Sequence, residues 1–286
     1  MKQLLNRFLL LQPAWLPTVL FIPLLYALGW LVVVPLTLLG LPAHQISLTG
    51  TVLSFVLFLL VMPRWAAVRW STERPWTALG IRNADTDDRP TSASALLKGI
   101  LLAMGLLSLI TSIVCVGGWG RWVGQLEAIA VVNALLLCLG VGCAEELIFR
   151  GWLWTELNRI IGSRYGAVVQ ASIFSLVHTR FNLGFFAMAG LLIGLLLLGL
   201  VLACQRRRDR GTLWGCIGLH GGLVAGWFLL QNGLLELSPQ SPSWLIGPGG
   251  NQANPLGGAV GIGVLAMLLW REWRLSQRGA HLPLRP

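Results

Sequence analysis

Apolar runs of about 18 to 25 residues recur along this chain, and short segments between them carry most of its charge. At about 1.5 Å of helical rise per residue, each run is long enough to cross a ~30 Å hydrocarbon layer. Within such a layer every backbone N–H and C=O must bond internally, which leaves helices or closed barrels. No period-two alternation suggests barrel strands. Only 11% of residues are charged and 55% are hydrophobic, against roughly 25% charged in soluble domains. The pattern predicts an all-α, polytopic transmembrane bundle of about eight spans, a single integral membrane domain over residues 1–286.

The predicted spans are roughly 14–40, 47–66, 94–118, 127–160, 163–180, 183–204, 212–231 and 257–271. The first apolar run is too long for a signal-peptide core and no small-residue cleavage site follows, so it reads as a retained span. With the N-terminus inside, the inner segments are 1–13, 64–98, 150–164, 206–210 and 271–286. All of the 21 basic residues except Arg121 and Arg180 fall in them, which predicts both termini in the cytoplasm. The net charge of +10 is therefore topological. Basic residues clustered between spans form no nucleic-acid-binding face.

Residues 67–93 contain Asp85, Asp87 and Asp88 and read as a cytoplasmic loop. Residues 236–256 are rich in Pro, Gly and Ser, which disfavours a regular helix and suggests a linker ahead of a lid. Cys115, Cys138, Cys143, Cys204 and Cys216 lack CxxC spacing and read as small packing residues. Many of the 14 tryptophans sit near span ends, including Trp65, Trp70, Trp119, Trp122, Trp152, Trp154 and Trp270. They read as an interfacial belt.

Ionisable residues inside the spans are few, and each costs about 2.5 to 3.5 kcal/mol at the bilayer centre on insertion scales. The fourth span nevertheless carries Glu145, Glu146 and Arg150 in GCAEELIFRGW. His178 ends SIFSLVH, and His220 lies in GCIGLHGGLVAGW. Glu146 and Arg150 are four apart and can pair as a structural bridge. Glu145 is turned about 100° away and can face another cavity. Gly162 is a candidate helix break. Glu145 lies 17 residues before it and His178 lies 16 after it, so an antiparallel hairpin sets them level. His220 is about 18 Å along its helix from the turn near Arg208, close to the same depth.

A carboxylate beside imidazoles can bind a divalent metal such as zinc, or can activate water as a general base without one. The second imidazole can donate to a developing oxyanion. Other hydrolytic designs fit poorly. Every aspartate lies in a predicted cytoplasmic loop, there is no HExxH or GxSxG, and Ser175 lacks an evident orienting partner for a Ser–His pair with His178.

The string Glu145-Glu146-x-x-x-Arg150, then Phe174-x-x-x-His178, then His220 in a later span, resembles the CAAX prenyl protease and bacteriocin-processing (CPBP, or Abi) family of intramembrane metalloproteases. The resemblance covers roughly residues 125–235. It implies water activation by Glu145 and His178, and Arg150 as the structural partner of Glu146. It also implies His220 as a metal ligand or oxyanion donor, with Glu145, His178 and His220 as the ligands of any zinc. The implied activity is endopeptidase cleavage of a membrane-embedded or lipidated protein or peptide. The family's third motif usually reads HxxxN or HxxxD, whereas the position four after His220 is Val224. Valine can neither donate nor coordinate, which motivates an alternative: a catalytically silent membrane scaffold or assembly factor. Asn182 and Gln231 are the nearby polar candidates to replace the missing group. A haem between His178 and His220 suits the adjacent carboxylates less well, and no duplicated half suggests a transporter.

Overall fold

The computed structural model describes residues 2–40, 42–82, 90–250 and 253–280. Asp85, Asp87 and Asp88 lie outside the described residues. The chain divides into two compact units, Met1–Leu79 and Gly80–Pro286. Five described helices are long and apolar enough to cross a membrane. The protein is a predominantly helical, multi-pass integral membrane protein.

The first unit holds α1 (Lys2–Leu9), α2 (Leu16–Val33), α3 (Ala43–Arg69) and the short α4 (Pro75–Leu79). Helices α2 and α3 pack through Phe21, whose ring centroid is 5.9 Å from Phe58 and 4.4 Å from Trp65. At the end of α3, the Arg69 guanidinium lies over Trp65 and donates to the carbonyls of Leu9 and Ala14. Those bonds satisfy carbonyls that the end of α1 and the following turn leave free.

The second unit holds α5 (Ser92–Val116), α6 (Ala128–Glu145), α7 (Trp154–Ile161), α8 (Ser163–Leu176), α9 (Phe185–Arg208), α10 (Trp214–Leu229), α11 (Ser243–Ile246) and α12 (Ala259–Ala280). A π-helical segment, Glu146–Leu153, joins α6 to α7. Thr91 caps α5 by accepting the Ser94 N–H at 3.2 Å. Helix α10 packs against α5, α6 and α9, α8 packs against α7 and α9, and α12 packs against α9.

The close approach of α10 to its neighbours is a property of its glycines. A Cβ on Gly218 would collide with the Leu96 carbonyl of α5, and one on Gly221 with the Cys138 carbonyl of α6. From the other side, a Cβ on Gly142 would stand 3.1 Å from Gly221 Cα. Small residues let helix backbones meet directly, the usual basis of tight association in lipid. Gly142 and Gly221 flank the polar cluster, so this contact sets the distance between the two helices that carry it.

All eight apolar runs contain a helix, although several ends differ from expectation: α2 gives way to 3₁₀ turns at Val34, and α12 runs on to Ala280. The helix expected over 163–180 stops at Leu176. There the N–H groups of His178 and Thr179 bond three residues back, to Ser175 and Leu176, and the chain tightens into turns. The fourth run is continuous over Ala128–Ile161, but its π-helical stretch has no sequence signature. In the loops, Gly120–Trp122 (β1) pairs antiparallel with Leu235–Leu237 (β2), and Arg121 bonds Glu236 at 2.8 Å. Such three-residue strands are too short for a periodicity test.

The tryptophan reading needs correction. Trp65, Trp70, Trp152 and Trp154 are buried, whereas Trp122 and Trp270 are exposed. Large amphipathic rings near span ends also pack inward when arginines and helix neighbours cover them. The five cysteines are free thiols, and Cys138 and Cys216 are buried. Asp209, just past α9, is buried and accepts from Gln205 at 2.8 Å. Burial raises its pKa, with the Gln205 bond opposing.

Gly218→Ala should lower the thermal unfolding midpoint in detergent, because its new methyl meets backbone; overpacking of this kind costs about 1–3 kcal/mol. Gly140→Ala, whose Cβ would meet nothing within 4 Å, should leave the midpoint unchanged or raise it.

Candidate active site

Glu146 is fully buried, and its Oε1 accepts two bonds, from Arg150 Nη1 at 2.9 Å and from His220 Nδ1 at 2.8 Å. The Arg150 contact is the i,i+4 pair read from the sequence. The His220 contact joins residues 74 apart in sequence and is the bond that sequence reasoning missed. Only α10's proximity to α6 allows it.

Phe174 is the apolar hub of the cluster. Its buried ring lies 4.1 Å from the Arg150 guanidinium carbon. It is also 4.8 Å from the His178 ring and 5.8 Å from the His220 ring, and it meets Phe149 edge-on at 5.1 Å. The aromatic face supplies a cation–π contact to an arginine whose Nε and Nη2 find no hydrogen-bond partner. Behind the π-helical segment, Arg206 of α9 donates to the Arg150 carbonyl. A π-helical turn shifts the backbone register by one residue, and such turns are frequent at functional sites. Here the wide turn closes with the Trp154 N–H bonded to the Phe149 carbonyl, five residues back.

Glu145 faces away from this buried bridge. Its Oε2 is 3.7 Å from His178 Nε2 and 3.8 Å from His220 Nε2. Both distances are too long for direct hydrogen bonds, and the oxygen is buried with no hydrogen-bond partner. The hydrogen positions on the two rings follow from their other bonds. The His178 Nδ1 lies 2.7 Å from the Phe174 carbonyl, which can only accept, so Nδ1 carries hydrogen. His220 Nδ1 likewise donates to the Glu146 carboxylate, which accepts it at 2.8 Å. In their neutral forms both rings thus present a bare Nε2 lone pair toward Glu145 Oε2. Three acceptors converging on one point require a proton, a donor such as water, or a cation between them.

The donor types suit zinc, which takes imidazole nitrogen and carboxylate oxygen at roughly 2.0–2.2 Å, with tetrahedral ligands about 3.3–3.5 Å apart. The observed separations are a few tenths of an ångström wider. Among the described residues, no three or more His, Cys, Asp or Glu side chains form a ready metal cluster.

The two polar candidates to replace an Asn or Asp at Val224 lie elsewhere. Asn182 is exposed in the turns after α8, and Gln231 donates to the Ala253 carbonyl at 2.8 Å. Ser175 donates to the Leu192 carbonyl, a bond between α8 and α9.

Residues 127–226 match the family described as type II CAAX prenyl endopeptidase Rce1-like. This stretch of the chain is similar to that family. It contains Glu145, Glu146, Arg150, Phe174, His178 and His220, and the function class that goes with it is a membrane protease. Residues 2–74 match a domain of unknown function, DUF8676. No curated protein and no solved structure matches the chain.

Arg150→Met should strand the Glu146 carboxylate in the interior. Breaking a buried pair in this way costs about 3–5 kcal/mol, read as a large fall in thermal midpoint or loss of folded protein. Glu145→Gln, which breaks no hydrogen bond, should unfold close to the wild-type midpoint.

Proposed function

We propose that the protein is an intramembrane endopeptidase that hydrolyses a peptide bond of a membrane-associated or lipidated substrate with water activated by Glu145 and the two histidines. The observation that carries this reading is the convergence of Glu145 Oε2 with His178 Nε2 and His220 Nε2. A water there donates its hydrogens to two of these acceptors, leaving an oxygen lone pair for the substrate carbonyl. Glu145 takes the proton as general base and returns it to the leaving amine. Hydrolysis balances: the C–N bond breaks, hydroxyl goes to the acyl carbon and hydrogen to nitrogen.

His178, bound through Nδ1 to its own preceding turn, orients the water. Glu146 and Arg150 support the site by fixing which nitrogen of His220 carries hydrogen. That constraint separates two roles for His220. As holder of water or metal it needs Nε2 bare; as an oxyanion donor it needs a second proton there, with Glu146 as counter-charge. If zinc is bound, Glu145, His178 and His220 would hold it, and it would supply Lewis acidity and a more acidic water.

A second reading rests on Val224, half-buried on α10 one turn past His220. There the family's usual Asn or Asp would offer another polar contact. On that reading the chain is a silent scaffold with the same helical core.

Glu145→Gln and His178→Ala should each lower cleavage by a factor of about 10² or more, the usual contribution of a general base, while the protein accumulates normally. Comparing membrane proteomes of the variant and parent strains should reveal an uncleaved precursor. Unimpaired processing in both variants would falsify the enzyme reading and favour the scaffold.

A further inference from the structure

The seam between α7 and α8 carries buried polar atoms that find no hydrogen-bond partner among the described residues. Gln170 on α8 is fully buried, and both its amide oxygen and its amide nitrogen are unpartnered. So are Asn158 Oδ1 and Trp154 Nε1 on α7, and Arg150 Nε and Nη2 and Glu146 Oε2 on the π-helical segment before it. Contacts across the hairpin set these groups in order. A Cβ on Gly166 would strike Asn158 Oδ1, Trp154 packs against Ala167, and the Phe174 ring covers the Arg150 guanidinium. Gln170 comes three residues after Ala167 and four before Phe174, hence on the same face of α8. It stands between the residues that Trp154 and Arg150 touch.

The chemistry of these atoms identifies what satisfies them. Trp154 Nε1, Gln170 Nε2 and the two arginine nitrogens donate, whereas Asn158 Oδ1, Gln170 Oε1 and Glu146 Oε2 accept. A cation would serve only the acceptors and an anion only the donors; water serves both. Buried polar groups left without any partner are costly, and buried water bonded to such groups is a regular part of folded proteins. A source of water lies at one end of the series. Trp154 and Asn158 line a cavity of about 460 Å³ between α7 and the end of α9. Arg159, Arg207 and Arg210 on its wall are exposed, and long basic side chains at span ends reach the aqueous interface.

From these donors and acceptors, ordered along one seam with a cavity at its end, we infer that the α7–α8 hairpin binds a file of water molecules. The file leads from the cavity, past Trp154 and Gln170, to the Arg150–Glu146 bridge. Water-mediated bonds of this kind are nearly as favourable as direct ones. The inner end is the carboxylate that also holds His220, so the file hydrates the back of the cluster. It stands whether or not the protein cleaves peptides.

The test is X-ray radiolytic footprinting of the full chain in neutral detergent, read by mass spectrometry. Hydroxyl radicals formed from a bound water oxidise the side chains that touch it, even where those are buried. Trp154 is 5% exposed and Trp65 0%. In the wild type, Trp154 should nevertheless be oxidised several-fold faster than Trp65. Gln170→Met keeps an unbranched side chain and removes both amide partners, and should bring the Trp154 rate down several-fold, toward that of Trp65. Val168→Met, on the exposed face of α8, should leave the Trp154 rate unchanged. Equal wild-type rates for the two tryptophans, a comparison that needs no variant, overturn the proposal. An unchanged Trp154 rate in folded Gln170→Met overturns it too, since Trp154 then meets only the water of the open cavity. An equal fall in Val168→Met also overturns it, because the effect would then not be specific to the seam.

Discussion

The Glu146 carboxylate is the constraint on which the rest of the cluster depends. A buried charge costs several kcal/mol of desolvation unless its partners are well placed. Here Arg150 and His220 meet on the same oxygen. Arg150 is held in turn by the Phe174 ring on α8 and, through its carbonyl, by Arg206 on α9. One carboxylate thus links the π-helical segment to α8, α9 and α10. A change to any of these contacts reaches the histidine geometry without touching Glu145.

Much of the fold was legible because hydropathy is a local property. Each of the eight apolar runs contains a helix, since bilayer thickness and backbone satisfaction leave a long apolar run little choice. The Glu145–His178 level was also legible. Counting from Gly162 works because Gly162 does break the helix, at a backbone φ of +83°. The count ignored both the π-helical stretch and the early end of α8, displacements of a few ångströms that side-chain reach absorbs.

What escaped the sequence is tertiary. The i,i+4 spacing finds Arg150 for Glu146, but no spacing rule finds His220 on another helix. The glycines of α10 were visible as letters, yet what they approach depends on which helices lie beside them. The β1–β2 pairing joins two loops more than a hundred residues apart, each contributing only three residues. The buried tryptophans followed an expectation about membrane interfaces that stacked arginines and tight packing override.

The two histidines differ in how they are set. His220 is enclosed, with 5% of its side chain exposed, whereas His178 and Glu145 keep 33% and 27%. His220 is anchored within a regular helix. His178 stands beyond the last turn of α8 and is steadied by a bond to its own backbone. The cluster therefore has a fixed back wall and an open rim. His178 and Glu145 share that rim, and the turns that follow Leu176 begin at the backbone of His178 itself.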